Sequence, residues 1–146
     1  RSELASPQAL TEAWRAQIDQ HFGLSSVAAI MASLAAAGDE WSRHTHAELA
    51  KRSPLMLSVT LEQLRRARGL SLAANLRMER DLVHNCFHLR PGAASETVEG
   101  IRALAVEKDH APRWNPARIE DVTPAMVAAY FQSPWAATMH PLVTLG

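Results

Sequence analysis

With one cysteine, Cys86, among 146 residues, no disulfide can close within the chain, which suits a reducing compartment. No charge of one sign is in excess, since fifteen Lys and Arg balance fifteen Asp and Glu. Without a net field, nucleic acid and anionic membrane surfaces are poor partners. No apolar run approaches the roughly eighteen residues of a membrane span; the longest, Val27 to Ala37, is interrupted by Ser33. The opening Arg1-Ser2-Glu3-Leu4-Ala5-Ser6 has neither an initiator Met nor a signal-peptide pattern, and points to a mature fragment, a trimmed protein or the tail half of a longer one. Alternating strand patterns, hairpin dipeptides, internal repeats and low-complexity stretches are missing. So are a Gly-x-Ser-x-Gly elbow, a phosphate-binding glycine loop and a dinucleotide fingerprint.

What the sequence does contain is helical. Hydrophobic residues make up 47% and charged residues 21%, values of a globular domain. Three hydroxyl–proline pairs, Ser6-Pro7, Ser53-Pro54 and Thr123-Pro124, mark helix starts: the hydroxyl accepts from an orphan amide and proline is preset for the first turn. Leu10, Ala13, Trp14, Ile18 and Phe22 form a stripe that Gly23 stops. Ser25 or Ser26 caps a second helix lined by Val27, Ile30, Met31 and Leu34 and ended by Gly38. Asp39 opens a third through Trp41, its apolar spacing continued by Leu49. The helix after Ser53-Pro54 carries Leu55, Leu57, Val59, Leu61 and Leu64, with Arg65, Arg66 and Arg68 suiting the negative end of its dipole. Ser71 caps a helix reaching about Leu89, and Pro91-Gly92 breaks the chain before a helix through Val98, Ile101, Leu104 and Ala105. Pro112 and Pro116 stiffen an extended connection, and a last helix runs from Thr123-Pro124 to Phe131. The predicted fold is all-α with six or seven helices, in a helical region 1–131 and an irregular tail 132–146.

The helix after Ser71 poses the sharpest question. Leu72, Leu76, Val83, Cys86 and Phe87 share one face, and Glu79 falls in its middle. A lone buried carboxylate must find a partner or keep its proton. The simpler expectation is a structural ion pair, with Arg102 on the next helix or with Arg65 or Arg66 on the preceding one; a general acid is the alternative. His84 and His88, four apart, could share a metal, but no third ligand is marked, so no metal site is expected. His44-Thr45-His46 reads as polar helix surface, and Cys86 as a small hydrophobe. Spacing alone marks no catalytic residue.

The order of motifs is more specific than any one of them. Ser53-Pro54 with Leu57, Val59-Thr60 and Gln63-Leu64, then Leu70-Ser71-Leu72 and Met78-Glu79-Arg80-Asp81-Leu82, resemble two successive helices of the 3-hydroxyisobutyryl-CoA hydrolases, a branch of the enoyl-CoA hydratase/isomerase (crotonase) superfamily. Glu99-Gly100-Ile101-Arg102-Ala103, Glu107-Lys108-Asp109 and Pro112-Arg113-Trp114-Asn115-Pro116 are similar to that family's "E-G-V-R-A…D-K-D…P-x-W-x-P" signature. The resemblance runs from about Phe22 to Phe131. Thr97-Val98 replaces the usual Asp-Phe, Glu107 the first Asp of Asp-Lys-Asp, and Leu55-Met56 a Thr-Ser pair.

The resemblance implies the C-terminal helical part of a ββα-spiral protein whose core, absent from this chain, carries the oxyanion hole and catalytic carboxylates. No family catalytic residue has a position here, and the helical part alone should be inert, because oxyanion donors must lie about 3 Å from the developing charge. The whole protein would hydrolyse a short 3-hydroxyacyl-CoA of valine breakdown without a metal or other cofactor; hydration or isomerisation of an enoyl-CoA is the alternative, and a stand-alone helical interaction module a third reading. The helices would help close the acyl-CoA site and mediate self-association. Lys108 matches, within a residue, a superfamily position near the CoA phosphates, whereas the aromatic expected beside the adenine is Leu104 here. Glu79, Arg102 and Trp114 are expected to be structural. The implied location is the cytoplasm of a bacterium or the mitochondrial matrix of a eukaryote.

Overall fold

The computed structural model describes residues 12–145 and divides the chain into two compact units at Glu48/Leu49. In the first lie α1 (Glu12–Phe22), α2 (Val27–Ala37) and most of α3 (Glu40–Ala50). The Ser6-Pro7 start and Leu10 fall outside the described residues. Gly23 follows α1 where only glycine fits: a Cβ there would lie 2.6 Å from the Asp19 carbonyl oxygen. Ser26, not Ser25, caps α2 by accepting from the Ala29 amide, and Gly38 closes it with a left-handed φ of 72°. Asp39 opens α3, its two carboxylate oxygens taking the amide and hydroxyl of Ser42 at 2.9 and 2.6 Å. These bonds hold the Asp39 carboxyl below its ordinary value. Val27, Ile30 and Leu34 are buried, and His21 is buried with its Nδ1 2.7 Å from the Ser33 hydroxyl.

The second unit contains α4 (Pro54–Ala67), α5 (Leu72–His88), α6 (Glu96–Ile101) continued by a π-helical turn (Arg102–Val106), and α7 (Pro124–Ala129). Among the described residues there are seven α-helices and no strand. Ser53, Ser71 and Thr123 each accept from an amide three residues on, where the sequence placed them, and Ser95 caps α6 in the same way. Leu55 and Val59 of α4, Leu82 of α5 and Tyr130 after α7 form the core, with Met56, Met78, Cys86, Val122, Met126, Val127 and Phe131 packed around them. Burial raises the Cys86 thiol and the Tyr130 phenol above their usual values.

α5 departs from expectation. The stripe expected to be buried is the exposed one: Leu72 is 75%, Val83 54% and Phe87 45% exposed. The neighbouring face, with Met78, Leu82 and Asn85, turns to the core instead, and Cys86 is the stripe member that packs against it; Ala73, on another side of the helix, is buried separately. Asn85 stays inside because its amide donates to the carbonyls of Tyr130 and Gln132 at 2.8 and 2.9 Å, satisfying the end of α7. α7 stops at Ala129, short of the expected Phe131.

Candidate functional site

The densest polar structure among the described residues starts at Ser95, which caps α6 and donates its hydroxyl to the Cys86 carbonyl at 2.7 Å. Glu96 and Glu99 follow, both buried. One Glu96 oxygen accepts from the Asn115 amide at 2.8 Å, and the other from the Ser53 hydroxyl at the head of α4. Glu99 accepts from the Arg113 amide at 2.7 Å and from the Arg102 guanidinium at 2.7 and 2.8 Å. The geometry has a simple origin. Side chains three apart on a helix lie about 5–6 Å apart, close to the advance of two residues in an extended chain, about 6.6 Å. Two carboxylates one turn apart therefore serve alternate amides of the Pro112–Pro116 segment.

Trp114, between those amides, donates its indole N–H to the Lys51 carbonyl at 3.1 Å. Its ring also lies over Gly100, where a Cβ would come within 3.2 Å of it. Glu-Gly is thus a unit: the carboxylate holds the extended segment, and the missing side chain admits the tryptophan.

Arg102 uses every N–H it has. Nε and Nη2 fork onto Glu99; Nη1 donates to Asp109 at 2.7 Å and to Glu107; and Nη2 reaches the Ala111 carbonyl at 3.3 Å. The fork and the Arg113 amide bring the Glu99 carboxyl down to about 2. The Ala111 amide, then Arg102, lower that of Asp109. The three carboxylates raise the Arg102 guanidinium further above its already high value. A carboxylate held near 2 is far from the pKa that suits proton transfer at neutral pH; the chemistry here is fixation. The 107–111 loop is closed by the Glu107 amide on the Arg102 carbonyl at 2.8 Å and the His110 amide on the Ala103 carbonyl at 3.0 Å. Lys108 and His110 have φ of 56° and 54°, in the left-handed region that L side chains rarely adopt. Lys108 is exposed.

Arg102, Trp114 and Lys108 therefore fall within one local structure. Glu79 does not. It is exposed on α5, and the carboxylates facing Arg102 are Glu99, Glu107 and Asp109. The expected Glu79–Arg102 pair is replaced for a physical reason: the stripe holding Glu79 stays in water, so its carboxylate needs no protein partner. His84 and His88 stack with centroids 4.4 Å apart, and among the described residues no three His, Cys, Asp or Glu are grouped to hold a metal. No helix among them is long and apolar enough to cross a membrane.

The tail also gains partners the sequence did not reveal. Arg77 donates to the Leu142 carbonyl at 3.0 Å and to that of Leu145. Asp81 accepts from the Ser133 hydroxyl and meets His140 Nε2, both at 3.1 Å. Trp135 has the Arg80 guanidinium 5.2 Å over its ring and contacts His84 and His140 edge-on. Sequence reasoning named Glu99 within the family signature but gave neither it nor Glu96 a structural role. The available signal was two acids one turn apart beside a proline-bracketed segment whose amides needed acceptors.

These helices, and the Glu-Gly/Trp locking of an extended segment, form an all-α portion of a fold seen in larger proteins. The Enoyl-CoA hydratase/isomerase family matches residues 1–131, and the chain belongs to that family. Its fold corresponds to the C-terminal helical portion of the ββα crotonase architecture. Among curated relatives it is 36% identical over 118 residues to the small ribosomal subunit protein mS47 of Arabidopsis thaliana, covering 78% of this chain and 28% of that protein. It is 32% identical over 117 residues to the mitochondrial 3-hydroxyisobutyryl-CoA hydrolase of Xenopus tropicalis, covering 80% and 29%. A solved carnitinyl-CoA dehydratase from Mycobacterium thermoresistibile superposes with a TM-score of 0.72 at 37% identity, covering 88% of this chain and 35% of the dehydratase. The chain thus spans between a quarter and two-fifths of the length of these proteins.

Proposed function

We propose that the chain is the C-terminal, site-closing and self-associating part of an acyl-CoA thioester hydrolase acting on a short 3-hydroxyacyl-CoA such as 3-hydroxyisobutyryl-CoA. The observation that carries this reading is the similarity to a 3-hydroxyisobutyryl-CoA hydrolase over four-fifths of the chain. No residue in the polar structure around Arg102 is a candidate nucleophile or base, so the reading assigns the oxyanion hole and catalytic carboxylates to the crotonase core of the longer protein. The exposed stripe of α5 and the exposed Leu104 and Val106 after α6 are surfaces on which closure and self-association would draw. Lys108 is proposed to meet a phosphate of CoA, a contact suited to an exposed ammonium. The location proposed is the mitochondrial matrix in a eukaryote, or the cytoplasm in a bacterium.

The test is to assay this chain and the longer polypeptide containing it with 3-hydroxyisobutyryl-CoA and with crotonyl-CoA. Hydrolysis by the longer polypeptide alone is the expected result. Hydration of crotonyl-CoA without hydrolysis would replace the reading with an enoyl-CoA hydratase, which the likeness to the dehydratase favours. Turnover by this chain unaided would show that its catalytic groups have been misplaced. The likeness to a ribosomal subunit protein favours a third reading, a helical assembly module; a longer polypeptide inert to both thioesters but retained in a large complex would establish it. Within the lead, Lys108→Ala should weaken binding of the CoA ester.

A further inference from the structure

We infer that Arg102 is the positioning residue for Lys108, holding the 107–111 loop in the strained conformation that presents its ammonium to a CoA phosphate; this rests on the Lys108 contact proposed above. The residues on either side of Lys108 are both tied to one guanidinium: Glu107 and Asp109 receive its Nη1 hydrogens, while its Nη2 also holds the Ala111 carbonyl. The rest of the same guanidinium is forked onto Glu99, itself buried and bonded to the Arg113 amide. The loop is thus referenced to α6 through a planar group whose five donors are all spent. Lys108 sits at the centre of this clamp, exposed and at φ 56°. Glycine takes that conformation without steric penalty, so a lysine held there is a side chain kept against the backbone's preference, a kind of strain that clusters at ligand-binding positions.

A flexible lysine on a free loop would lose chain entropy on meeting an anion; a clamped one has already lost it. Lysine in place of Arg102 would keep the positive charge but not the planar fork, so it could not hold Glu99, Glu107, Asp109 and Ala111 together. The positioning effect therefore belongs to geometry and not to net charge.

The experiment measures dissociation constants of the longer polypeptide for 3-hydroxyisobutyryl-CoA and for 3-hydroxyisobutyryl-pantetheine, which lacks the nucleotide phosphates. Lys108→Ala should weaken the CoA ester roughly five-fold and leave the pantetheine ester unchanged, the size expected of one exposed ion pair. Arg102→Lys should cause the same selective loss although Lys108 is still present, and the double variant should be no worse than either single one. A general loss of folded protein would lower both affinities together and would not move their ratio. If Lys108→Ala changes the ratio and Arg102→Lys does not, the positioning inference is overturned and the phosphate contact stands. If Lys108→Ala changes nothing, the contact itself fails, and the inference with it. Should Arg102→Lys not fold, Asp109→Asn, which loosens only the loop side of the clamp, takes its place; an unchanged ratio there overturns the inference.

Discussion

Leu55, Val59, Leu82 and Tyr130 hold α4, α5 and α7 together by apolar contact, whereas Glu96, Glu99 and Arg102 hold α6 to the 107–115 segment by charge-assisted hydrogen bonds. The first arrangement is non-directional and insensitive to pH; the second depends on donor geometry and on carboxylates staying ionised. The apolar side joins three helices of the second unit. The polar side sets the path of one irregular segment, which apolar contact alone would leave free to slide.

The largest expected effect falls on the apolar side. Leu55 is fully buried, and Leu55→Ala should cost about 2–5 kcal/mol in chemical unfolding, by the same amount at pH 3 and pH 7. A pH-dependent loss would break the comparison. On the polar side, the folded Glu99 carboxyl lies near 2, below its ordinary 4.5. Its contribution is complete above about 4.5 and disappears as pH falls towards 2, because the unfolded chain takes up the proton first. Glu99→Gln should therefore lower the melting temperature at pH 7 and flatten the melting profile between pH 4.5 and 2. A variant that keeps the wild-type slope would show that Glu99 is not the group responsible. Asn85, where an amide serves the end of α7 inside the apolar packing, should cost about 1–3 kcal/mol as Asn85→Ala, since two carbonyls lose their donor. Smallest is Thr123→Ala, about 1 kcal/mol for a cap open to solvent, measurable as a small shift in denaturant midpoint.

The helix boundaries were legible because the signals that set them are local. Ser53, Ser71, Ser95 and Thr123 act within four residues of themselves, and Gly23 and Gly38 within one turn. The family was legible because its motifs are ordered along the chain. Which face of α5 turns inward was not, since period shows that a stripe exists but not what covers it. The stripe with Leu72 and Val83 is the more apolar, yet the unit's own core uses the one with Met78 and Leu82. The partners of Arg102 were misjudged for a similar reason. Glu79 looked isolated and therefore needy, while Glu107, five residues from Arg102, returns to it through the π-helical turn, and Asp109, seven residues away, follows left-handed backbone at Lys108. Residue types alone do not announce such a turn.

The hold of Arg77 on the tail has a consequence for how that tail can change. Its acceptors are the main-chain oxygens of Leu142 and Leu145, which every amino acid supplies. Recognition at these two points is blind to side-chain identity and strict about spacing. Leu142→Ser or Leu145→Thr should leave the attachment in place, while deleting one residue between His140 and Leu145 would put the carbonyls out of phase with the guanidinium. In this stretch the quantity under constraint is the count of residues, not their spelling.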